Sequence, residues 1–353
     1  MNKSLIISVF KREPALIVGM AGLIVMGLMA LRSIAPEVFP TYFIYIILGI
    51  LAFLVFSQIE FDILSLFSKH VYFLSIIFLI LPLIIGEVTR GATRWIQIGN
   101  FTIQPTELVR PFLILFFANF LVDRELSVKI LAQAFVLLLL PVVLILLQPS
   151  LGVAALTIAG FAGVGLSLKY NKKMLLFIGA TILAVSPFLW LILAPYQKAR
   201  VMALISPVAD PAGAGYNSIQ SMIAVGSGMF TGRGLGEGIQ TQLAFLPERH
   251  TDFIFASIAE ELGFVGAGLV IALTFFVLYR IVIILENAIN PVARAFAAGV
   301  FTTLFIQVLI HVGMNMGLLP ITGQPLPLVS AGGSSLIATM ATFGMLIQVK
   351  RES

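Results

Sequence analysis

The chain has 353 residues, of which 59% are hydrophobic and only 10% are charged, whereas an ordinary soluble domain has about 25% charged residues. A soluble fold needs polar residues to cover its surface, so this composition excludes one. The formal net charge of +5 would also suit a nucleic-acid-binding protein, but the basic residues gather between apolar runs, as in membrane proteins. The chain has no cysteine, which excludes disulfides, thiolate metal sites and a cysteine nucleophile.

Apolar runs long enough to cross a hydrocarbon core of about 30 Å recur along the whole chain. They predict an all-α fold, a polytopic membrane helix bundle of about ten transmembrane helices that forms one domain over residues 1–353. The predicted spans are 14–34, 41–59, 70–87, 105–122, 129–148, 151–168, 174–194, 252–285, 292–319 and 330–349. The first run is too long for a signal peptide and is predicted to be a retained helix.

The distribution of Lys and Arg in the short connections predicts that both termini are cytoplasmic. The single long connection, 195–251 between spans seven and eight, then lies outside the cell. It mixes many glycines with apolar residues, which indicates a re-entrant or amphipathic segment packed at the membrane surface instead of a flexible linker.

The most reactive-looking residues lie where this long loop enters the eighth span. Asp252 at that point has two interpretations: it caps the helix, as Asp often does, or it is a functional carboxylate near a helix N-terminus. A cap does not account for the neighbouring Glu248 and His250, or for Glu260 and Glu261 one to two turns into an apolar helix. Charged groups beside or within spans are costly, so each indicates a possible function.

A second group of charged residues surrounds the start of the fourth span. Glu107 and Arg110 are three residues apart on one helix and could pair. The pair is either a structural ion pair that neutralises both charges in lipid, or Arg110 and Arg94 face a cavity as ligands of a pyrophosphate. The planar guanidinium of arginine suits the second role because it binds phosphate in a bidentate manner.

Two glycine-rich stretches are less specific indicators of function than the charged clusters. The stretch 226–234 lacks the P-loop sequence and follows no strand, so a tight turn is favoured over a phosphate cradle. The stretch 320–335 contains Ser330, Gly332 and Gly333 among prolines and glycines that break a helix near the membrane face. It is either a turn followed by small-residue helix packing or part of the lining of the same outward cavity.

Taken in their order along the chain, these clusters resemble the SEDS family of bacterial cell-wall glycan polymerases over essentially the whole length. The stretch 247–255 is the longest and most specific of the matching motifs. The others are Arg94-Trp95, Gln104-Pro105-Thr106-Glu107, Gln148-Pro149, Tyr196-Gln197 with Arg200, Gln220-Ser221, Gly226-Ser227-Gly228, Gly232-Arg233-Gly234, Glu260-Glu261 and Ser330 with Gly332-Gly333-Ser334-Ser335. The short amino-terminal tail is more similar to the RodA branch of the family than to the FtsW branch.

The resemblance implies a peptidoglycan glycosyltransferase that polymerises lipid II into β-1,4 glycan strands and releases undecaprenyl pyrophosphate, for cell-wall elongation or division. The donor is α-linked and the product β-linked, so the implied mechanism is inverting, with Asp252 as the candidate general base. The residues implied to bind substrate are Arg94, Glu107, Arg110, Arg200, Gln220, Ser221, Glu248, Arg249, His250, Thr251, Glu260, Ser330, Gly332 and Gly333.

The resemblance also implies a cofactor, a location and a partner. A divalent cation, Mg²⁺ or Mn²⁺, is expected to neutralise the leaving pyrophosphate together with arginines, and its ligands are unknown. The expected location is the bacterial plasma membrane. The expected partner is a class B penicillin-binding protein, a transpeptidase with one transmembrane helix that packs on the outside of the bundle.

Three positions depart from the family pattern. Ser150 stands where the family usually has aspartate, Arg110 where it has lysine, and Ala331 where it has tyrosine. Arg110 keeps the positive charge. Ser150 removes a carboxylate, so a role of that carboxylate in other members does not carry over to this chain.

Two other functions also fit a bundle with buried charges. A flippase or secondary transporter of lipid-linked precursors would use such charges, but the sequence has no paired broken helices in two halves and its charges gather toward the outer face. A flippase needs no general base, so Asp252→Ala would leave transport intact. Another membrane ligase of lipid-linked glycans would keep the pyrophosphate chemistry and change the acceptor.

Overall fold

A computed structural model describes residues 12–89, 92–99, 101–122, 124–125, 127–168, 198, 202, 213 and 215–351. Most of these residues are helical. The predicted seventh span, 174–194, and Arg200 lie outside the described residues, as does most of 195–214.

The helices follow the apolar runs of the sequence closely. They are α1 (Pro14–Ile34), α2 (Phe39–Phe56), α3 (Phe61–Leu66), α4 (Ser68–Ile85), α5 (Pro105–Val122), α6 (Val128–Leu147), α7 (Leu151–Leu166), α8 (Tyr216–Ser227), α9 (Ile239–Gln242), α10 (Ile254–Asn287), α11 (Pro291–Asn315) and α12 (Gly333–Arg351). Seven described helices are long and apolar enough to cross a membrane, and α7 and α12 are shorter apolar helices. The predicted polytopic helical bundle is therefore confirmed, whereas the total of ten spans stays a prediction.

A small antiparallel sheet between α4 and α5 was not predicted by the sequence. Its strands are β1 (Glu87–Thr89), β2 (Ala92–Ile98) and β3 (Phe101–Ile103), in the order β1-β2-β3. Ile96 pairs with Ile103 and Ile98 pairs with Phe101. Two of the strands have only three residues, too few for the alternation that identifies a strand in a sequence.

Small residues let the membrane helices approach one another closely. The last helix α12 packs against α2 and α5, and α11 packs against α7 and α10. A Cβ atom added to Gly163 of α7 would lie 2.4 Å from the hydroxyl of Thr302, and one added to Gly160 would lie 2.7 Å from that of Thr303. This is the small-residue packing that drives helix association in lipid, where the hydrophobic effect does not.

The predicted eighth span is broken near its start. Gly263 has φ 64° and ψ −160° inside α10, a conformation that is open essentially only to glycine. The segment 229–234 supplies the backbone bonds that the break removes from the helix. Its amides at Arg233 and Gly234 donate to the carbonyls of Glu260 and Glu261, and its carbonyls at Met229 and Phe230 accept from Phe264 and Val265. The glycine-rich stretch is thus a backbone brace for a broken helix.

The chain between α11 and α12 enters the protein interior without forming a helix. Gln324, Leu326 and Val329 are each at most 2% exposed. Irregular backbone at membrane depth needs partners from the protein, and α11 provides them. Gln307 Nε2 donates to the Pro325 carbonyl at 2.8 Å, and His311 Nδ1 lies 2.7 Å from the Gln324 carbonyl. This buried segment brings Gly323 and Ser330 to the start of α10.

Candidate functional site

Asp252 lies just before α10 and does not cap it. The helix begins at Ile254, the cap residue is Phe253, and that cap makes no side-chain hydrogen bond. The side chain of Asp252 is half-buried. The cap position that the sequence offered to Asp252 is thus occupied by Phe253, and the Asp252 carboxylate lies one residue before it, close to the helix start.

Asn315, the last residue of α11, fixes the backbone from Asp252 to Ala256 at the start of α10. Its Nδ2 donates to the Asp252 carbonyl at 3.0 Å and to the His311 carbonyl at 2.7 Å, and its Oδ1 accepts from the Ala256 amide at 3.0 Å. Asn315 is fully buried. Its own carbonyl accepts from the hydroxyl of Ser221 at 2.8 Å. The side-chain amide and the main-chain carbonyl of this one residue therefore tie α8, α10 and α11 together next to the aspartate.

A glycine faces the carboxylate of Asp252. Gly323 has φ 69°, and a Cβ atom built on it would lie 3.3 Å from Asp252 Oδ2. A side chain at this position would press against the carboxylate oxygen, and its backbone would be strained as well. The glycine therefore keeps space open beside a half-buried carboxylate.

The segment that follows Leu326 is hydrogen-bonded to the residues just before Asp252. The hydroxyl of Ser330 donates to the Thr251 carbonyl at 2.7 Å and accepts from the Leu326 amide at 2.8 Å. The Ala331 amide donates to the His250 carbonyl at 2.9 Å. Ser330 is almost fully buried, so in this structure its contacts are with protein backbone next to Asp252.

Glu248 and Arg249 are positioned by the turn that precedes Asp252. Glu248 has φ 52°, which costs a non-glycine residue about 1–2 kcal/mol. Its carboxylate accepts from the Thr251 hydroxyl at 3.1 Å. The Arg249 Nε donates to the Ile34 carbonyl at the end of α1, at 2.8 Å. All three side chains are half-buried, and strained backbone of this kind concentrates at functional sites.

Glu260 and Glu261 both point to the loop that precedes Asp252. Both are buried. The carboxylate of Glu260 accepts from the amides of Gln240 and Thr241 at 2.8 and 3.0 Å. That of Glu261 accepts from the Ser33 hydroxyl and from Gln242 Nε2, each at 2.9 Å. The sequence could not choose which of the two faces a polar cavity, and in the structure both anchor the loop.

Glu107 and Arg110 form the ion pair that their spacing allowed. Their Oε2 and Nη2 atoms are 2.7 Å apart, and the two side chains are 2% and 6% exposed. The other terminal nitrogen of Arg110, Nη1, has no hydrogen-bond partner among the described residues, and Arg110 lines a cavity of about 20 Å³ together with Thr303, Thr339 and Thr342. Such a cavity can hold one water molecule. The pair is enclosed by the bundle, which favours the structural interpretation.

The remaining residues that were predicted to bind substrate differ in how deeply they are buried. Ser221 is buried and Gln220 half-buried on α8, and Arg94 is half-buried on β2. Gly332 lies just before α12 and Gly333 begins it, and a Cβ on Gly333 would lie 2.4 Å from the ring of Tyr45. The sheet is anchored close by, because the hydroxyl of Tyr45 bonds to the backbone of Thr102 on β3.

Among the described residues, no three His, Asp or Glu side chains gather as a metal site built by protein alone would require. Magnesium, however, is usually held by one or two carboxylates together with substrate phosphates and water. Glu248 and Asp252, four residues apart, are two half-buried carboxylates, which is the number of carboxylates that such a site uses.

The sequence interpretation missed the roles of Asn315 and Gly323. Asn315 could have been found as a polar residue ending an otherwise apolar helix. The role of Gly323 depends on a positive φ and on a contact with a residue 71 positions away in the chain, and neither is visible in the sequence.

Comparisons with known proteins agree on one family. The family model of the FtsW, RodA and SpoVE cell cycle proteins matches residues 15–353. The chain is 39% identical over 312 residues to the peptidoglycan glycosyltransferase MrdB of Escherichia coli K12, covering 86% of the chain and 83% of that relative. It is 36% identical over 296 residues to the probable peptidoglycan glycosyltransferase FtsW of Aliivibrio salmonicida, covering 81% and 73%.

Solved structures show the same fold. A structure described as a peptidoglycan synthase complex that coordinates polymerization and crosslinking superposes with a TM-score of 0.83 at 31% identity, over 95% of this chain and 96% of that one. The rod shape determining protein RodA of Thermus thermophilus superposes with a TM-score of 0.72 at 28% identity, over 95% of each chain. An aspartate-to-alanine mutant of the same RodA gives a TM-score of 0.72 at 27% identity.

Proposed function

Because the chain belongs to the FtsW, RodA and SpoVE family, we propose that it is a peptidoglycan glycosyltransferase, the activity for which its relatives are named. Its substrate is lipid II, a disaccharide-pentapeptide on undecaprenyl pyrophosphate. Its product is a β-1,4-linked glycan strand.

The observation that carries the mechanism is the placement of Asp252. Its carboxylate is half-buried, its backbone is fixed by Asn315 and Ser330, and Gly323 leaves room beside its Oδ2. A general base needs such a rigid position within reach of the proton that it removes. Rigid placement also supplies catalysis by orienting the reacting groups.

The reaction inverts the configuration at one carbon atom, the anomeric carbon of the donor. The 4-hydroxyl oxygen of the acceptor sugar attacks the anomeric carbon of the donor from the face opposite the pyrophosphate. The bond from that carbon to the pyrophosphate oxygen breaks, and the pyrophosphate leaves with the electron pair. The hydroxyl proton passes to the carboxylate of Asp252, so charge and atoms balance in one displacement.

The leaving pyrophosphate requires positive charge. Arg94 is half-buried on the sheet, and Arg249 is half-buried just before α10. We assign these two arginines the role of neutralising the pyrophosphate, in preference to the enclosed Arg110. A divalent cation would be held by Glu248 and Asp252 and would supply further positive charge for the leaving pyrophosphate.

The proposed setting is the bacterial plasma membrane with both termini in the cytoplasm, which places Asp252 outside the cell. The proposed partner is a class B penicillin-binding protein. The synthase complex with the same fold joins polymerization to crosslinking, which supports a crosslinking partner for this chain.

The test uses purified protein with a class B partner, fluorescent lipid II and Mg²⁺, with the products separated on a gel. We compare wild type with Asp252→Asn, which keeps the shape of the side chain and removes the base. A glycan ladder from wild type and a rate at least about 100-fold lower for Asp252→Asn are expected, since general base catalysis contributes 10²–10⁴-fold.

Two outcomes contradict parts of the proposal. Equal ladders from wild type and Asp252→Asn would retain the polymerase and reject Asp252 as its base. No ladder from wild type, with the partner shown to crosslink, would reject the polymerase and favour transport of the lipid-linked precursor.

A further inference from the structure

A second cavity lies at the end of the bundle opposite Asp252. Its volume is about 460 Å³, and it lies between α3, the start of α4 and the end of α5. The far end of α4 leads through the sheet to the start of α5, where the Gln104 amide bonds to Ser334 of α12. Both helices therefore run from the Asp252 end of the bundle to this cavity.

Two cations line the cavity. They are the exposed Lys69 at the start of α4 and Arg124 just after α5. The guanidinium carbon of Arg124 lies 3.9 Å from the ring centroid of Phe120, which fixes its position. Neither cation forms an ion pair within the part of the chain that the structure describes. Asp62 also lines the cavity, and its Oδ1 accepts from Asn290 Nδ2 at 3.1 Å, so the lining keeps one excess positive charge.

Two hydroxyl groups, those of Ser65 and Ser68, also line the cavity. Asn119 Nδ2 lies 2.5 Å from the Ser65 carbonyl, 3.0 Å from the hydroxyl oxygen of Ser65 and 2.8 Å from that of Ser68. Its two N–H groups are shared among these three oxygen atoms, and within the described residues neither hydroxyl donates a hydrogen bond. Two O–H donors and two cations are thus available to one ligand, which is the donor set that a phosphate group requires.

An apolar surface continues from the cavity along α4. Leu66 lines the cavity and is 75% exposed. Phe73 and Ile77 follow Lys69 at intervals of four residues, on the same side of the helix, and are 67% and 58% exposed. Two helical turns of this stripe extend about 12 Å from the lysine. A phosphate site above an apolar stripe has the geometry of a phospholipid at the membrane interface.

We propose that this cavity binds the phosphate of an anionic glycerophospholipid, such as phosphatidylglycerol, with the acyl chains along Phe73 and Ile77. Basic pockets between transmembrane helices on the cytoplasmic side recognise such head groups. The inference does not depend on the glycosyltransferase activity.

The experiment measures lipid bound to the full chain by native mass spectrometry in detergent, with phosphatidylglycerol or phosphatidylcholine of identical acyl chains. Wild type is compared with Lys69→Gln, Arg124→Gln and the double variant. The matched control is Lys129→Gln, which removes one exposed charge at the same end of the bundle outside the cavity. Near a membrane surface one Lys or Arg contributes about fivefold in affinity, so each single variant should lose about fivefold and the double variant about 25-fold.

The expected result is a preference for phosphatidylglycerol that falls in the cavity variants and is unchanged in Lys129→Gln. Equal binding of the two lipids by wild type, or equal losses in Lys69→Gln and Lys129→Gln, would overturn the proposal. Displacement of the lipid by millimolar inorganic phosphate would overturn the assignment to a lipid and identify a site for a soluble phosphate.

Discussion

Asn315 is the residue on which the position of Asp252 depends most directly. Replacing it with alanine removes the two donated hydrogen bonds and the accepted one, and an unsatisfied buried group costs about 1–3 kcal/mol. We expect Asn315→Ala to lower the thermal stability and to lower kcat about 10- to 100-fold with little change in KM, because the aspartate shifts relative to the acceptor. The measurement is the initial polymerisation rate as a function of lipid II concentration.

The variant Asn315→Asp tests the donated hydrogen bonds. It keeps an acceptor for the Ala256 amide, but its second oxygen faces the carbonyls of Asp252 and His311 where the wild type has a donor. A buried carboxylate against two carbonyl oxygens is strongly destabilising, so stability and kcat should both fall at least as far as in Asn315→Ala. A wild-type kcat in either variant would show that Asn315 only supports the fold.

Gly323 and Gly99 provide a matched pair for testing the space beside Asp252. They have φ of 69° and 60°, but a Cβ on Gly323 would lie 3.3 Å from Asp252 Oδ2, whereas a Cβ on Gly99 would have no neighbour within 4 Å in the part of the chain that the structure describes. Alanine costs about 1–2 kcal/mol of strain at either position. We expect similar losses of stability and a fall in polymerisation rate of at least about tenfold for Gly323→Ala alone. Equal activities in the two variants would contradict a role for this space.

At the scale of elements, the break in α10 offers a second matched pair. A Cβ on Gly263 would lie 2.3 Å from the Gly232 amide nitrogen, whereas one on Gly268, five residues further along α10, would have no described atom within 4 Å. Gly263→Ala should separate the brace from the helix and lower stability by more than about 3 kcal/mol. Gly268→Ala should raise stability by about 0.5–1 kcal/mol, the usual effect of alanine in a helix.

Thermal unfolding and limited proteolysis of the purified variants measure this difference. New cleavage within 229–247 of Gly263→Ala would mark release of the loop. Equal melting temperatures for the two variants would show that the contact between the segment 229–234 and the break in α10 does not stabilise the protein.

The sequence predicts the boundaries of the membrane helices well, but it does not predict the break inside α10. The reason is physical. Lipid demands long apolar runs, so α1 and α5 have the predicted boundaries. The break at Gly263 lies within such a run, because Phe264 and Val265 are as apolar as a continuous helix requires. What breaks the helix is the distant segment 229–234, and a contact between distant segments leaves no local pattern.

The candidate site, too, could be predicted only in part from the sequence. Asp252 and Glu248 could be identified from charge beside an apolar helix, since such charge is costly without a role. Glu260 and Glu261 gave the same signal, but their partners are backbone amides and side chains of the preceding loop. Charge placement in a sequence therefore identifies costly residues, and only the fold separates an anchor from a site.

At the scale of the whole molecule, the two ends of the bundle differ in charge and in role. Arg249 bonds to the end of α1, so the start of α1 lies at the opposite end, where Glu13 pairs with Arg280 of α10 at 2.5 Å. Lys69 and Arg124 lie at that end too. An excess of basic residues in short connections marks the cytoplasmic side, and on this ground we propose that Asp252 lies outside the cell.

The absence of cysteine from the whole sequence makes this orientation directly measurable. Leu243, at the Asp252 end, is 64% exposed, and Val128, at the start of α6 on the opposite end, is 84% exposed. In spheroplasts with an intact plasma membrane, a membrane-impermeant maleimide should label Leu243→Cys and should label Val128→Cys only after permeabilisation. The unaltered chain is the control because it has no thiol. The reverse pattern would place Asp252 in the cytoplasm, where a carboxylate could not act on glycan strands that grow outside the cell.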